Sequence, residues 1–577
     1  MAAPRHKADV LIIGAGGSGL RAAISAQEAG ASVIVVCKSL LGKAHTIMAE
    51  GGIAAAVGTT DPRDNWQVHF HDTMFGGKYL NNWKMALYHA KEAPNEIENL
   101  EKWGAVFDRT DDGGILQRNF GGHTYKRLVQ VGDRTGLELI RTLQDAAVAH
   151  GVRVFAEHTV TQLLRQDDAV CGAVGYDREK GGVVVWEAPA VIIATGGIGR
   201  IYSVTSNSWE GTADGLALAF RAGAELMDME FVQFHPTGMV WPPSVRGLLV
   251  TESVRGEGGL LTNSKGERFM ERYDPKRMEL STRDVVARSI YTEVQEGRGS
   301  PHGGAFLSIA HKPADFILKK LPSMYMQFKE FADVDITKEP MEVYPTTHYM
   351  MGGIRVDAET EATNVPGLYA CGEAASGMHG ANRLGGNSLS DLLVFGARAG
   401  AAAAKYAKSA ARRGDISEST IAQAEREMLA PFEGTGENPF VVQEQLQHMM
   451  MTEVGVYRSE EKLTQALSSI RSMRKQADNA RATGTRQYNP SWHAAIDLKN
   501  MTLIAEAIAQ HALMRKESRG AHTRVDFPNT SGELEKVNVV SRLVDGQITA
   551  TFVEREPMPD ELAELAKGET VVHTTVQ

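Results

Sequence analysis

Short apolar runs that end in small residues mark the buried strands of this chain. The first run, at 8–13, leads directly into the loop Gly14-Ala-Gly-Gly-Ser-Gly19. A helical stretch to Ala29 and a second apolar run at 32–36 follow. A strand, a glycine loop with G-x-G-x-x-G spacing, a helix and a second strand are typical of a dinucleotide-binding unit, in which backbone N–H groups hold a pyrophosphate.

Two further apolar runs, at 191–197 and 367–373, also end in small residues. A chain that returns three times to one sheet from distant segments looks like the flavin-binding fold of large flavoproteins, where an acid such as Glu373 holds the ribityl chain. Lys38 and Ser39 stand where an NAD-binding unit carries an acid for the ribose, which disfavours a simple NAD site.

The remaining pattern predicts an α/β protein, α+β overall, with a Rossmann-like FAD-binding domain, an inserted capping domain, a helical domain and a small C-terminal domain. Between the second and third cofactor strands lies an insertion that we expect to act as a lid. Met501, Ile504, Ile508 and Ala512 recur at helical spacing, and short strands are predicted at 537–544 and 547–553. The predicted boundaries are 1–237 with 355–417 for the FAD-binding domain, 238–354 for the lid, 418–528 for the helical domain and 529–577 for the tail.

Composition excludes several classes of protein. The 577 residues are too many for one core, and the net charge of −10 without a basic block argues against a nucleic-acid partner. The three cysteines have no CxxC spacing, so we expect a reduced compartment and no disulfide, zinc or iron–sulfur site on this chain. No run approaches 18 apolar residues, and the early first strand leaves no room for a signal peptide, so membrane attachment would come through partners.

Arg383 is the most informative single residue, because it lies among glycines just before an Ala-rich helix. Its guanidinium is a rigid fork of donors suited to a carboxylate, although an ordinary ion pair is the competing interpretation. Four other polar segments stand out, at 43–52, 233–238, 249–259 and 347–353. With Arg383 they supply two histidines and a threonine, a donor-rich set suited to an anionic substrate.

Taken together, these motifs closely resemble the bacterial flavoprotein subunit of succinate dehydrogenase and fumarate reductase, from Asp9 to about Pro528. The resemblance implies FAD, joined covalently through His45. It implies a cofactor-binding set of Gly14, Ala15, Gly16, Gly17, Ser18, Gly19, Lys38, Ser39, His45, Thr46, Gly51, Gly52, Asp214, Glu373, Ser388 and Leu389.

The same resemblance implies a substrate-binding set of His235, Thr251, His348, Arg383 and Phe120, with Phe120 as an apolar wall. Arg283 matches the family's proton-transfer arginine, and Glu252 and Arg255 would extend a relay toward solvent. An ordinary ion pair is the alternative for Arg255. The implied reaction removes a hydride and a proton from adjacent carbons of succinate.

Electrons would then leave for a separate iron–sulfur subunit and a quinone site in membrane anchor subunits, because this chain has no cysteine cluster. The implied location is the cytoplasmic face of the bacterial inner membrane.

Two departures from the family pattern bear on this interpretation. Ala44 precedes His45 where many relatives have serine, and Glu50 stands where many dehydrogenases have Gln. A carboxylate near the ring would lower the flavin potential and favour fumarate reduction. L-aspartate oxidase, which lacks the histidine, is the alternative within this fold, and a flavin-bearing scaffold without turnover is the alternative outside it.

Overall fold

A parallel five-stranded sheet forms the centre of the computed structural model, which describes residues 3–410 and 416–568. Its strands lie in the order Leu368–Ala370, Ala190–Ile193, Val10–Ile13, Val33–Val36 and Arg153–Phe155. The prediction that three distant segments share one sheet is therefore confirmed. The strands Val10–Ile13, Val33–Val36 and Ala190–Ile193 are buried on both faces, which explains their unbroken apolar runs.

The register of this sheet places the strand ends side by side. Ile13 pairs with Ile193 on one side and Val36 on the other, so the loops that follow all leave from one edge. In open parallel sheets, ligands bind outside this carboxyl edge. The edge is where the glycine loop, Lys38 and Thr195 lie.

Helices cover one face of the sheet, and a second sheet with helix Asp214–Arg221 covers the other. The glycine-loop helix Gly17–Glu28 packs against the long helix Asn387–Ser409, with Trp83–Lys102 and Thr135–Ala149 alongside. A second sheet joins Arg5–Lys7, Val183–Glu187, Ala169–Asp177 and His158–Gln166. Strands Ile53–Ala54, Leu128–Val129 and Gln117–Arg118 form a small third sheet, and helices Trp66–Gly76 and Asp214–Arg221 complete this part of the chain.

The inserted segment has a core of its own. Its antiparallel sheet runs in the order Val232–Met239, Met341–Met350, Ala305–Ser308 and Leu260–Thr262. Helices Arg283–Glu293, Ala314–Lys320 and Pro322–Ala332 accompany it, together with the short helices Ser253–Gly256 and Met270–Tyr273. The two longest strands carry His235 and His348 and connect the insertion to the cofactor sheet.

The C-terminal part is helical, as predicted, and then returns to the body of the protein. Its helices are Glu418–Leu429, Pro439–Glu453, Glu460–Asp478 and Pro490–Met514, and the residues of the predicted apolar stripe are fully buried. Strands Val537–Val544 and Gln547–Glu554 extend a sheet formed with Leu226–Met227 and Gly353–Ile354. Helix Asp560–Lys567 then packs on Trp66–Gly76. Within the described residues, no helix has the length and apolarity needed to cross a membrane.

Trp492 provides a test of how the helical segment is held. Its ring is fully buried and stacks on Tyr176 with centroids 4.0 Å apart. We predict that Trp492→Ala lowers the free energy of unfolding by about 3–5 kcal/mol, because a large cavity is left. Denaturant titration measures this loss. Trp209→Ala, at a side chain 80% exposed, should change stability by less than about 0.5 kcal/mol. Equal effects of the two substitutions would contradict the packing described here.

Candidate active site

A long cleft of about 1350 Å³ opens along the carboxyl edge of the parallel sheet. Many of the predicted cofactor residues line it, including Gly14, Ala15, Gly16, Gly17, Ser18, Lys38, Ser39, His45, Thr46, Asp214, Glu373, Ser388 and Leu389. Gly19, Gly51 and Gly52 are not among the described lining residues. The residues that the sequence assigned to one cofactor thus meet along one continuous surface.

The glycines of the first loop are required for different steric reasons. A Cβ on Gly14 would lie 2.2 Å from the carbonyl oxygen of Ala194, and one on Gly19 would lie 2.0 Å from that of Gly14. These two glycines therefore allow strand and helix to approach closely. A Cβ on Gly16 would meet nothing nearer than 3.4 Å, so this position leaves room at the cleft.

The helix that begins at Gly17 has no side-chain cap, so its N-terminal N–H groups are available to a ligand at the cleft. The exception is the N–H of Gly17, which donates to Thr46 Oγ1 at 3.2 Å. A diphosphate fits this arrangement because the helix dipole and free amides both favour anions.

Lys38 is clamped between carboxylates at one end of the cleft. Its Nζ lies 2.6 Å from Asp214 Oδ2 and 3.3 Å from Asp497 Oδ1, and it donates to Thr212 Oγ1 at 2.6 Å. Burial alone would lower the pKa of Lys38, but the two carboxylates outweigh it and raise the pKa above its usual value. Asp214 also accepts a hydrogen bond from Asn500 at 3.0 Å. Helix Pro490–Met514 thus contributes two polar side chains to the cofactor end of the cleft.

Glu373 lines the middle of the cleft. Its Oε1 accepts the backbone N–H of Met350 at 2.9 Å, and a Cβ on Gly197 would lie 2.3 Å from the same oxygen. Burial raises the pKa of Glu373 to about 7. This carboxyl group is therefore suited to exchange a hydrogen bond with a ligand hydroxyl group.

His45 stands at the boundary between the cofactor cleft and the predicted substrate site. Its ring lies 5.9 Å from that of His348, and its Nδ1 is buried without a partner among the described residues. Burial and the nearby charge of Arg383 lower the pKa of His45 to about 4, so the imidazole is neutral. An unpartnered neutral nitrogen at the cleft fits a bound cofactor.

Glu50 is the departure from the family pattern that was expected to favour fumarate reduction. Its Oε2 is buried without a partner among the described residues, and burial, aided by Asp133, raises the pKa of Glu50 well above its ordinary value. This shift weakens the expected effect of a carboxylate charge, and the preferred direction of the reaction stays a prediction.

The predicted substrate residues meet beyond His45, where the inserted segment faces the cofactor domain. His235 and His348 have ring centroids 5.1 Å apart. Ser206 Oγ lies 2.8 Å from His348 Nδ1, and the backbone N–H of Thr237 lies 3.2 Å from His235 Nδ1. In both rings the bonded nitrogen is Nδ1, which leaves Nε2 for a ligand.

Arg383 carries a buried positive charge in this region. The residue is 2% exposed, its Nη1 donates to Ser388 Oγ at 2.8 Å, and its Nε has no partner among the described residues. Its guanidinium lies 4.5 Å above the ring of Tyr349. Burial and the nearby Arg283 lower the pKa of Arg383 to about 9, which still leaves it charged at neutral pH. No described carboxylate forms an ion pair with it, so the ordinary ion pair considered from the sequence is absent.

Arg283 belongs to a connected line of charges. Its Nε donates to Glu252 Oε2 at 2.8 Å, and Arg255 Nη2 lies 3.6 Å from the same oxygen. Burial alone would raise the pKa of Glu252, but Arg255 and Arg283 outweigh it and lower the pKa, so Glu252 is ionised. Arg255 also donates to the carbonyl of Glu279. Both arginines of the predicted relay therefore approach the same oxygen of Glu252.

Phe120 and Thr251 flank these charges. Phe120 is buried, and a Cβ on Gly51 or Gly385 would lie 2.7 or 2.5 Å from its ring. Thr251 Oγ1 donates to Ser253 Oγ at 3.2 Å and lies in a buried segment beside Glu252. Gly51 and Gly385 therefore leave room for the ring of Phe120.

Several residues with structural roles in the site were not predicted. Gln233 receives an N–H from Arg283 at 3.3 Å and donates to the carbonyl of Arg383 at 2.8 Å, so it connects the two arginines. Tyr349 lies beneath Arg383, and both Gln233 and Tyr349 belong to motifs that the sequence had marked. Asp497 and Ser206 lie in segments with no distinguishing pattern.

Comparison with known proteins agrees with this geometry. An FAD-binding domain family matches residues 9–389, and the family described as the fumarate reductase flavoprotein C-terminus matches residues 443–558. A fumarate reductase (CoM/CoB) chain of Methanothermobacter marburgensis is 46% identical over 543 residues, covering 94% of this chain and 98% of the relative. The succinate dehydrogenase flavoprotein subunit of Coxiella burnetii is 39% identical, covering 95% and 96%.

Solved structures give the same result. The structure of Mycobacterium smegmatis Sdh1 in complex with UQ1 aligns with a TM-score of 0.89 at 53% identity, covering 97% of this chain and 96% of that one. FrdA of E. coli quinol fumarate reductase aligns with a TM-score of 0.91 at 34% identity, covering 96% and 98%.

The fold and the cleft define an FAD-dependent oxidoreductase. The chain belongs to the succinate dehydrogenase and fumarate reductase flavoprotein family. The predicted family, fold class and FAD are thereby confirmed, whereas the roles of individual residues and the covalent attachment stay predictions.

The buried histidines of the site predict how stability depends on pH. Burial, Arg283 and Arg255 lower the pKa of His235 well below its ordinary value, so the unfolded chain binds a proton that the folded chain does not. Stability should therefore fall as the pH drops through about 6.5. Between pH 7.5 and 5.5 the contribution of His235 is about 1.4 kcal/mol.

Denaturant unfolding of the cofactor-free chain at the two pH values measures this fall. His235→Gln should reduce it by about that amount, whereas His311→Gln, at a position outside the site, should not change it. The same pH dependence in wild type and His235→Gln would contradict a neutral buried His235.

Proposed function

We propose that this chain oxidises succinate to fumarate, with a dicarboxylate held beside FAD by Arg383 and the two histidines. The observation that carries the proposal is the buried guanidinium of Arg383, which forms no ion pair with the described residues. A buried charge without a counter-ion is costly, so the site requires an anion. A substrate carboxylate supplies this anion, and a planar guanidinium can bind it at two points.

His348 and His235 bind the second carboxylate of the substrate in this proposal. Nδ1 of His348 contacts Ser206 and Nδ1 of His235 contacts the backbone of Thr237, so each ring has Nε2 left for the substrate. We propose that this nitrogen carries the proton and donates to the carboxylate, with the hydroxyl group of Thr251 nearby. Neutral donors hold a carboxylate while adding no further positive charge beside Arg283 and Arg383. Phe120 gives an apolar wall against the carbon chain and excludes water from the reacting carbons.

The proton is removed by Arg283. Arg283 is bonded to Glu252, and Glu252 lies beside Arg255, so the three side chains form a relay for protons. As Arg283 takes a proton from the substrate it passes another to Glu252, so neither arginine has to remain deprotonated. Glu252 is held in place by the backbone N–H of Gly121 at 3.0 Å. A fixed, ionised carboxylate between two guanidinium groups is suited to this transfer.

FAD, when bound, supplies the acceptor for the hydride. The predicted cofactor residues hold it along the cleft, with the glycine loop at the diphosphate and Ser388 and Leu389 at the flavin end. We propose that His45 attaches covalently to the flavin methyl group, since this neutral histidine lines the cleft beside His348 and has a nitrogen without a partner among the described residues.

We further propose that electrons pass to an iron–sulfur subunit that docks over the mouth of the cleft. Support comes from large apolar side chains that are exposed around this mouth, at Leu40, Ile47, Leu137 and Trp209. Leu40 lines the cleft, and the segment that carries Ile47 packs against the helix that carries Leu137. Together with membrane anchor subunits, such a partner would hold the chain at the cytoplasmic face of a bacterial inner membrane.

The reverse reaction, fumarate reduction, is the second candidate. The site binds both dicarboxylates by the same groups, and relatives with names of both kinds match the chain over nearly its whole length. Burial raises the pKa of Glu50 well above its ordinary value, which weakens the charge argument for fumarate reduction. The potential of the electron partner then decides the direction of flow.

Arg383→Lys tests the carboxylate clamp. An ammonium cannot make the planar two-point contact, so we predict that succinate binding to the FAD-loaded chain weakens about 10- to 100-fold. Isothermal titration measures this affinity. Arg398→Lys, at an arginine that pairs with Glu92 outside the site, should bind succinate as wild type does. An affinity within about threefold of wild type in Arg383→Lys would refute the clamp.

His45→Ser tests the covalent attachment. After acid precipitation, yellow flavin should remain with the wild-type polypeptide and appear in the supernatant for the variant. The visible absorbance of both fractions gives the result. His311→Ser, at a histidine of the inserted segment outside the site, should keep its flavin with the polypeptide. Free flavin from wild type would exclude attachment through His45.

A further inference from the structure

Four histidines surround the start of the long helix Asn387–Ser409, and none of them belongs to the substrate site described above. Three are almost fully buried and His123 is half-buried. Each ring contacts the segment 385–391 through Nε2. The partners are Asn387 Oδ1 for His69 at 3.0 Å, Ser390 Oγ for His89 at 2.8 Å, the Gly385 carbonyl for His123 at 2.7 Å and Asp391 Oδ2 for His379 at 3.4 Å.

The partners determine the tautomer of these rings. Gly385 offers only an acceptor to His123. The Tyr349 hydroxyl group lies 3.1 Å from His379 Nε2 but donates to Asp391, so both neighbours of His379 act as acceptors. His123 and His379 therefore carry their proton on Nε2. Asn387 donates its amide to Thr73 and presents its oxygen to His69. The hydroxyl group of Ser390 donates to the carbonyl of Asn387, so its oxygen accepts from His89. All four rings therefore act as Nε2–H donors.

The other ring nitrogen of each histidine, Nδ1, does not contact the helix start. Nδ1 of His69, His89, His123 and His379 is buried without a partner among the described residues. Burial, and in three of the rings the charge of Arg127, lowers the pKa of His69 well below its usual value, that of His89 to about 3 and that of His123 to about 4. For His379, burial and Arg383 outweigh the effect of Asp391, and the pKa is again lowered. The lowered pKa values favour the neutral form of all four rings at neutral pH.

The helix start that they contact has no cap of its own. Gly386 precedes the helix with a φ of +83°, and no side chain caps the first turn. Ser388 and Leu389 in this turn line the cofactor cleft, and Ser388 receives the N–H of Arg383. The position of this turn is thus set from outside the helix, by residues from Trp66–Gly76, Trp83–Lys102 and two loops.

We propose that His69, His89, His123 and His379 are positioning residues that hold the first turn of helix Asn387–Ser409 against the flavin as neutral Nε2–H donors. The inference rests on the proposed placement of Ser388 and Leu389 at the flavin end of FAD. A helix N-terminus stabilises negative charge only within about one turn, so a small displacement changes the energy of the reduced flavin. Loss of these donors therefore shifts the flavin reduction equilibrium.

Substitution of a histidine by glutamine or by asparagine distinguishes the loss of its Nε2–H donor from the loss of the imidazole ring itself. A glutamine amide reaches the position of His Nε2, whereas an asparagine amide ends near Nδ1 and cannot reach the helix. The variants are His69→Gln, His69→Asn, His123→Gln and His123→Asn in the full chain loaded with FAD. Two quantities are measured, the flavin midpoint potential by dye equilibration and the hydrogen exchange of the amides at 387–391.

We expect both asparagine variants to exchange these amides at least about tenfold faster, because the bond to the turn is lost. The flavin equilibrium should shift by about tenfold, which is about 30 mV for two electrons. Both glutamine variants should stay within about threefold of wild type. The matched control is His71→Asn on the same helix as His69, since His71 bonds to Ala566 at 2.8 Å instead of to the flavin turn.

An unchanged potential in both asparagine variants would overturn the proposal, as would an equal shift in His71→Asn or in the glutamine variants. Faster exchange with an unchanged potential would show that the histidines hold the turn but that the turn does not face the flavin. That outcome refutes the placement of Ser388 and Leu389 and leaves the carboxylate clamp untouched. If an asparagine variant does not fold, its glutamine partner must still match wild type in both measurements, and failure to do so also overturns the proposal.

Discussion

A buried positive charge without a protein counter-ion is the constraint on which this structure depends. Arg383 is held by Ser388, Tyr349 and the loop around it, and none of these neutralises it. The other charged arginine facing it, Arg283, is paired with Glu252. The site therefore has an unbalanced positive charge at Arg383. The neighbouring His235 and His348 remain neutral because a further buried positive charge would be costly.

This arrangement needs two parts of the chain to meet. Arg383 comes from the loop before the long helix of the cofactor domain, whereas His235, Thr251, Glu252 and Arg283 come from the inserted segment. Gln233 joins them, since its amide group contacts Arg283 at one end and the Arg383 carbonyl at the other. The helical part contributes at the far end of the cleft, where Asp497 shares Lys38 with Asp214. The cofactor cleft is thus closed at both ends by segments outside the nucleotide-binding unit.

The sequence predicted the central sheet and the glycine loop because local patterns determine them. Unbroken apolar runs require burial on both faces, and the glycine spacing follows from contacts such as that of Gly14 with Ala194. Site residues within recognisable motifs were also found. Asp497, Ser206, His69, His89 and His123 were not, because their roles arise from contacts across more than about a hundred residues of sequence. Glu50 was identified, but residue type alone did not show that burial raises its pKa.

The central claim is that the site binds two substrate carboxylates, one at Arg383 and one at the histidines, and the binding of fumarate compared with its monoamide tests it most directly. The two molecules have the same shape, but the monoamide has one carboxylate fewer. Isothermal titration of the FAD-loaded chain should give one fumarate bound per chain and an affinity for the monoamide at least about tenfold weaker, since a charged hydrogen bond contributes about 1.5–3 kcal/mol. Equal affinity for the two molecules would show that the site does not require the second carboxylate and would contradict this account.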